Sequence, residues 1–238
     1  MISPLGSRYG IQGALGRSVK RASTSVPTVF YPTADTYLTS FGSYDTYNFG
    51  ATELWLALNY SQSTHYSSWL YKFDLSLASG KTVTGATLTL TAMYGGAKNY
   101  ARAIDFYGIS SANGDWVEGT KDAQIAGSGE PCWDAKEADG SGGVTTAWAG
   151  SAGCATSGTD YSATSIGGVA DVDYNNSDYT AYDAVFNSTG IALVQSWIDS
   201  PQTNYGIVCP NRSNWYPPIY GREVSNDLYK PTLTLTYS

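Results

Sequence analysis

Two carboxylates, Asp115 and Glu118, lie three residues apart in the segment GDWVEGT. A glycosidase needs two carboxylates on opposite sides of the scissile bond. In a strand or turn, residues at this spacing point to different faces, so they form a poor catalytic pair. The segment instead predicts a turn in which the carboxylates cap backbone groups and Trp116 enters the core.

A serine-hydrolase mechanism would require His65 as its general base, because the chain has one histidine. His65 lies in the hydrophilic segment SQSTHYSS, and the chain contains no G-x-S-x-G nucleophile motif. We therefore interpret His65 as a surface residue without a catalytic role. Lyase chemistry that uses tyrosine and arginine stays open, although no segment marks a site for it.

The segment DVDYNNSD places Asp171, Asp173 and Asn175 at the first, third and fifth positions of an EF-hand-like calcium loop. The glycine expected at the sixth position is Asn176, and the acid expected at the twelfth is Tyr182. A structural calcium ion and a solvated acidic turn therefore stand as alternatives. No other cofactor is predicted.

Aromatic residues near turns are the best candidates for contact with a ligand. The segment NRSNWYPPIYGRE brings Trp215, Tyr216 and Tyr220 close to Arg212 and two prolines. Sugar rings and protein partners both use flat aromatic surfaces beside a polar group. Alternatively, Trp215 or Tyr220 packs against the end of the domain.

The three cysteines, Cys132, Cys154 and Cys209, form no C-x-x-C or Cys/His cluster, which argues against a zinc site. A disulfide between Cys132 and Cys154 would leave Cys209 without a disulfide partner. We expect free, buried thiols.

The charge of the chain is unevenly distributed. The formal net charge is −7, from 13 cations and 20 acids, but four of the cations and none of the acids lie in residues 1–28. The acidic remainder argues against non-specific nucleic-acid binding. No apolar run is long enough to cross a membrane.

The basic N-terminal segment contains the candidate anchor residues Arg8, Tyr9, Arg17, Lys20 and Arg21. Glycines interrupt it, so it offers neither the apolar run of a signal peptide nor a clean amphipathic helix. A flexible tail, a remnant of processing and an anchor on a larger assembly are the alternatives. We favour an extended arm over residues 1–28 that docks on another protein chain.

Residues 29–238 predict an all-β domain. Period-two alternation recurs between turn residues, as in KPTLTLTYS, where Leu233, Leu235 and Tyr237 face one way. We expect an antiparallel jelly-roll β-sandwich. The similar segments GATLTLT and KPTLTLTY suggest neighbouring strands with threonines paired across the exposed face. IALVQSWIDS alone suggests one or two helical turns packed on the core.

Residues 119–188 are rich in glycine and serine and have weak periodicity, which predicts a long insertion. Trp133, Trp148 and Tyr161 are expected to hold this insertion against the sandwich.

Five segments occur in an order that resembles the DNRLRE-type, or disaggregatase-related, domain, which includes alginate-type carbohydrate-binding modules. They are ADTYL followed by NFGATELWLA, LYKFDLSLASGKTVTGATLTLT, FYGISSANGDWVEGT, IALVQSWIDSPQTNYGIVC and GREVSNDLYKPTLTLTY. The resemblance covers residues 29–238 and implies a non-catalytic β-jelly-roll binding module of secreted proteins. The basic start more loosely resembles small virion proteins of tailed phages.

These patterns predict a non-enzymatic protein of the virion or the extracellular space. Our first hypothesis is a virion decoration or fibre-type component that is anchored by residues 1–28 and displays a carbohydrate-binding-like sandwich, with cell-surface polysaccharide as a candidate partner. The alternative is a secreted carbohydrate-binding module associated with a polysaccharide-degrading enzyme.

Overall fold

A computed structural model describes residues 26–55, 66–93, 102–172, 179–211 and 218–238. Fifteen strands and one α-helix, α1 (Ser188–Asp199), occur in these ranges. The strands are β1 (Thr28–Phe30), β2 (Pro32–Thr39), β3 (Tyr47–Asn48), β4 (Leu54–Trp55), β5 (Ser67–Phe73), β6 (Val83–Ala92), β7 (Arg102–Gly108), β8 (Gln124–Ile125), β9 (Glu137–Ala138), β10 (Val144–Thr146), β11 (Gly167–Val172), β12 (Thr180–Phe186), β13 (Ile207–Asn211), β14 (Ile219–Tyr220) and β15 (Thr232–Tyr237). Short 3₁₀ turns cover Gly42–Thr46, Ser76–Ala78, Ser111–Asn113, Pro201–Thr203 and Asp227–Tyr229.

One antiparallel sheet folds over on itself to make the body. Its strand order is β1-β15-β6-β12-β11-β7-β13-β5-β2, and β14 joins β4 to β6. The first part of β7 pairs with β11 and its last two residues pair with β13, so β7 passes from one half of the sheet to the other. The predicted all-β antiparallel architecture is confirmed, and the jelly-roll connectivity stays a prediction.

The apolar side chains of the two halves meet in the main core. Alternation brings Leu233 and Leu235 of β15 inward, into the same core cluster as Trp69 and Tyr71 of β5, and all four are fully buried. Leu70, which lies between Trp69 and Tyr71, is also fully buried, but in a second cluster on the other face. The half that contains β5 is therefore covered on both faces.

The threonine strands are neighbours, as the sequence predicts. β15 pairs with β6 in a register that places Thr232 opposite Thr89 and Thr234 opposite Thr87. Thr89 also donates to the Asp183 carboxylate on β12 at 2.6 Å. Leu233 lies opposite Leu88 on the inner face, so a shift of one residue would exchange leucines for threonines in the core.

The helix is longer than the sequence suggests. α1 has 12 residues rather than one or two turns, and the Asn187 side chain caps it by accepting from the Gly190 N–H at 3.0 Å. Val194 and Trp197 pack into the main core, as predicted. No helix among the described residues is both long and apolar enough to cross a bilayer.

The glycine-rich insertion is shorter than the range 119–188. Its last part supplies β11 and β12, which lie side by side within the main sheet. Their glycines and polar residues hide the period-two pattern in the sequence. The rest covers the β5 half of the sheet, with Trp133, Trp148 and Tyr161 buried beneath it, as expected.

Cys132, Cys154 and Cys209 are free and buried, which confirms the prediction for the thiols. Burial raises the pKa of each thiol, so none is a reactive thiolate.

Candidate functional site

Most of the predicted site residues lie outside the described residues. These are the anchor residues Arg8, Tyr9, Arg17, Lys20 and Arg21, the ligand candidates Arg212, Trp215 and Tyr216, the calcium candidates Asp173 and Asn175, and His65. Asp171 falls near the end of β11. Among the ligand candidates, Tyr220 lies within the described residues. The sequence left two alternatives for it, packing against the end of the domain and contact with a ligand.

Tyr220 belongs to a patch of three tyrosines, which we call the tyrosine platform: Tyr179, Tyr220 and Tyr229. The ring centres of Tyr179 and Tyr229 are 4.5 Å apart with planes at 4°. Those of Tyr220 and Tyr229 are 5.4 Å apart at 19°, and those of Tyr179 and Tyr220 are 6.2 Å apart at 15°. The three rings are thus nearly parallel, and their centres form a triangle rather than a column.

Strand register explains why the three tyrosines meet. Ala92, the last residue of β6, pairs with both Thr180 and Ile219, so the residues next to these partners, Tyr179 and Tyr220, lie at the same edge of the sheet. Ile219 is fully buried, and alternation turns Tyr220 away from the core. Tyr229 arrives from the 3₁₀ turn that precedes β15.

The platform is accessible and its backbone is unusual. Tyr179 is 47% exposed, and Tyr220 and Tyr229 are half-buried. Tyr179 has a φ of 66°, in the left-handed region that residues other than glycine seldom occupy. Such conformations cluster at functional sites. A Lys230–Asp227 ion pair at 2.7 Å lies beside Tyr229 in the chain and supplies polar groups.

A second aromatic surface involves Tyr66 and Trp133, whose rings stack with centres 6.4 Å apart and planes at 12°. They line a cleft of ≈ 330 Å³ together with Ser68, Ala152 and Pro210. Trp133 is buried, so only Tyr66 offers a large exposed ring here. No local pattern predicts this cleft, because Tyr66 and Trp133 are far apart in the chain.

The carboxylates of Asp115 and Glu118 do not form a pair, in agreement with the prediction from their spacing. Asp115 is exposed and accepts from Lys136 at 2.6 Å, which lowers its pKa. Glu118 turns the other way, toward Arg222. Trp116 between them is buried, and its indole N–H donates to the Tyr205 carbonyl at 2.9 Å.

Glu118 belongs to an acidic cluster that the sequence did not single out, with Asp35, Glu223 and Arg222. One oxygen from each of the three carboxylates lies within 4.8 Å of the others. Arg222 binds Glu118 in a bidentate manner, Nε to Oε1 at 2.6 Å and Nη2 to Oε2 at 2.8 Å. Its Nε also lies 2.9 Å from Glu223 Oε1. Three acids therefore share one cation.

Backbone groups fix the cluster from three segments. The Asp35 N–H, on β2, donates to Glu118 Oε1 at 2.7 Å, and the Arg222 N–H donates to Asp35 Oδ2 at 2.8 Å. Asn48 holds the chain beside Glu118, because its side-chain amide donates to the Glu118 carbonyl at 2.8 Å. Gly119 follows with a φ of 87°, and a Cβ there would collide with Asn48.

Burial makes the acids of the cluster hard to ionise. Asp35 is fully buried, and burial, with the nearby Glu223 charge, raises its pKa well above the usual value. Burial and the Glu118 charge raise the pKa of Glu223 to about 6. As the pH rises, the native protein therefore releases these protons later than the unfolded chain does.

One sequence signal could have found the cluster. Asp35 lies two residues before Tyr37 in β2, so both side chains point to the same face, which is buried at Tyr37. Charged residues make up 14% of the chain. A lone acid on the buried face of a strand needs a compensating partner. Which partner it finds is not visible from sequence, because Arg222 is 187 residues away.

No protein-family model matches the chain. No curated protein is significantly similar to it.

Proposed function

We propose that this protein is a non-enzymatic binding protein whose β-sandwich holds a carbohydrate chain against the tyrosine platform. The single observation that carries the proposal is the triangle of nearly parallel rings of Tyr179, Tyr220 and Tyr229 at an accessible sheet edge. Tyr220 is also one of the four ligand candidates that the sequence predicts.

The geometry suits a sugar better than a planar ligand between two rings. Because the three rings stack closely on one another, they leave no slot for an intercalated group and offer a ligand their outer faces and edges. The apolar faces of successive sugar residues pack on such surfaces, while nearby polar groups bond hydroxyls. Lys230 and Asp227 are suitably charged for that role. The acidic body favours a neutral glycan over a uronate polymer.

The acidic cluster supports a non-catalytic role. Asp35 is fully buried, and Glu118 is bound through both oxygens to Arg222. A polymer would have to displace Arg222 before a glycosidic bond reached the carboxylates. The arrangement therefore favours a structural role for these acids.

Replacing Tyr220 or Tyr229 with alanine is expected to weaken binding to a retained polysaccharide about tenfold. Loss of one stacking ring removes about 1–1.5 kcal/mol of contact energy. Affinity electrophoresis through gels that contain neutral or uronate polysaccharides would measure this, with the melting temperature as a check on folding.

Two variants make the result specific. Tyr31→Ala removes a tyrosine that is 51% exposed and lies at the β1–β2 junction, so it should leave retardation unchanged. Tyr66→Ala probes the second aromatic surface. If Tyr66→Ala abolishes retardation and Tyr220→Ala does not, the platform is not the binding surface. If no polysaccharide in the panel retards the wild type, the carbohydrate proposal fails.

The basic segment favours a virion component as the setting for this binding activity. Four cations without an acid over residues 1–28 suit an arm on an acidic surface. Deleting residues 1–25, which leaves β1 intact, should prevent incorporation into particles while the melting temperature of the body stays unchanged. Normal incorporation of the truncated protein, measured by its stoichiometry in purified particles, would eliminate the anchor.

A further inference from the structure

Two buried oxygens in the acidic cluster face no hydrogen-bond donor among the described residues. They are Asp35 Oδ1 and Glu223 Oε2. Asp35 is fully buried, and its other oxygen already accepts from the Arg222 N–H. A buried carboxylate oxygen without a partner is costly, so something must compensate it.

The structure leaves two ways to compensate these oxygens: a proton shared between Asp35 and Glu223, or a cation held by both. Ionised Asp35, Glu118 and Glu223 carry three negative charges, and Arg222 returns one positive charge. The remaining charge of two is balanced by one divalent ion, whereas one shared proton leaves a negative charge in a buried site. When all three carboxylates are ionised, the charge balance therefore favours the divalent ion over the shared proton.

We propose that Asp35, Glu118 and Glu223 form a binding site for one calcium ion. Calcium binds oxygen ligands at about 2.3–2.6 Å, so two of its ligands are at most about 5 Å apart. The three carboxylate oxygens lie within 4.8 Å of one another and meet this limit. Magnesium, at about 2.1 Å, would require the three side chains to close in further. The cluster offers no nitrogen or sulfur ligand of the kind that zinc prefers.

An ion can reach the site although a polymer cannot. The side chains of Glu118 and Glu223 are 15% and 21% exposed, and Arg222 is 34% exposed. The site would tie β2 to the segment that carries Glu118 and to the turn after β14. Its residues differ from those of the sequence-predicted calcium loop, Asp171, Asp173 and Asn175.

The test is a set of thermal melts of the full chain in calcium, magnesium or chelator. Calcium at about 100 times its dissociation constant should raise Tm by about 5 °C. Glu223→Gln should lose this shift, yet melt in chelator at or above the wild-type temperature, because it removes one of three clustered charges. The double variant Asp171→Asn with Asp173→Asn is the matched control and should keep the shift.

Each other outcome overturns the site. If calcium leaves the wild-type Tm unchanged, Asp35 and Glu223 share a proton and the site holds no ion. A shift that survives in Glu223→Gln, or that disappears in the Asp171/Asp173 control, places the ion elsewhere. Terbium luminescence is an independent readout that needs no variant. Bound terbium should luminesce when the aromatic residues are excited, because Tyr71 is the cross-strand partner of Asp35. Calcium should reduce that signal by displacing the terbium. Absence of a calcium-sensitive terbium signal in the wild type also contradicts the proposal.

Discussion

Replacing Arg222 with methionine is expected to lower the free energy of unfolding by about 2–4 kcal/mol at neutral pH. Breaking a buried ion pair from one side typically costs about 3–5 kcal/mol, because the remaining charge stays buried. The estimate is reduced because the Arg222 side chain is 34% exposed. Urea denaturation in chelator would measure the loss independently of any bound ion.

The loss should grow with pH. The pKa values of Asp35 and Glu223 are raised in the native state, that of Glu223 from 4.5 to about 6. The native state therefore binds more protons than the unfolded state, and the free energy of unfolding falls as the pH rises from about 4.5 through about 6. Without Arg222 these pKa values rise further. The variant should be close to the wild type at about pH 4 and well below it at about pH 7.

Lys230→Met is the matched control for this experiment. It removes the cation of an ion pair whose Asp227 side chain is 75% exposed, so it should change stability by less than about 1 kcal/mol. If Arg222→Met costs no more than Lys230→Met, the cluster contributes nothing to stability and the description of its charge balance is wrong.

Replacing Asp160 with asparagine is expected to lower the free energy of unfolding by about 3–5 kcal/mol, with the effect concentrated in the insertion. The carboxylate is fully buried and accepts four hydrogen bonds. Oδ1 accepts from Asn113 Nδ2 and the Gly150 N–H, each at 2.8 Å. Oδ2 accepts from the Ser151 N–H at 3.0 Å and the Thr156 N–H at 2.7 Å.

Asparagine keeps the shape of the side chain but turns one acceptor into a donor. Whichever oxygen the amide NH₂ replaces, it would face two N–H donors. The two charge-assisted hydrogen bonds to that oxygen would then be lost, at a cost of about 1.5–3 kcal/mol each. Cys154 reports on this region, because its thiol lies 3.9 Å from the Asp160 carbonyl oxygen. Mass spectrometry after alkylation should show faster labelling of Cys154 than of Cys209, which lies in β13.

Asp139→Asn is the comparison for Asp160. Asp139 also accepts from backbone N–H groups, those of Ser141 at 2.7 Å and Gly143 at 2.9 Å, but it lies at an exposed turn. Water can replace those bonds, so labelling of Cys154 should match the wild type. Equal labelling of Cys154 in Asp160→Asn and the wild type would contradict the role of Asp160 as the centre of the insertion.

The strands with strict alternation could be predicted from the sequence because their pattern is local. Leucine and threonine alternate in β6 and β15, and one register alone buries both sets of leucines. The same reasoning failed for β11 and β12, since glycine and aspartate in these strands remove the contrast between faces. The length of α1 was underestimated because its cap, Asn187, lies before the apolar residues that mark the helix.

The candidate sites divide in the same way. Residue types and nearest neighbours predict the β class and the inward position of Trp116, because both depend on local pattern. They favour free, buried thiols, and they leave Tyr220 with two alternatives, a ligand surface and packing against the domain. The approach of Tyr179 and Tyr229 to Tyr220, and of Asp35, Glu118 and Glu223 to Arg222, arises when the chain folds. These contacts join segments up to 187 residues apart, and such pairings are set by strand register and by the folding over of the sheet, which no local pattern records.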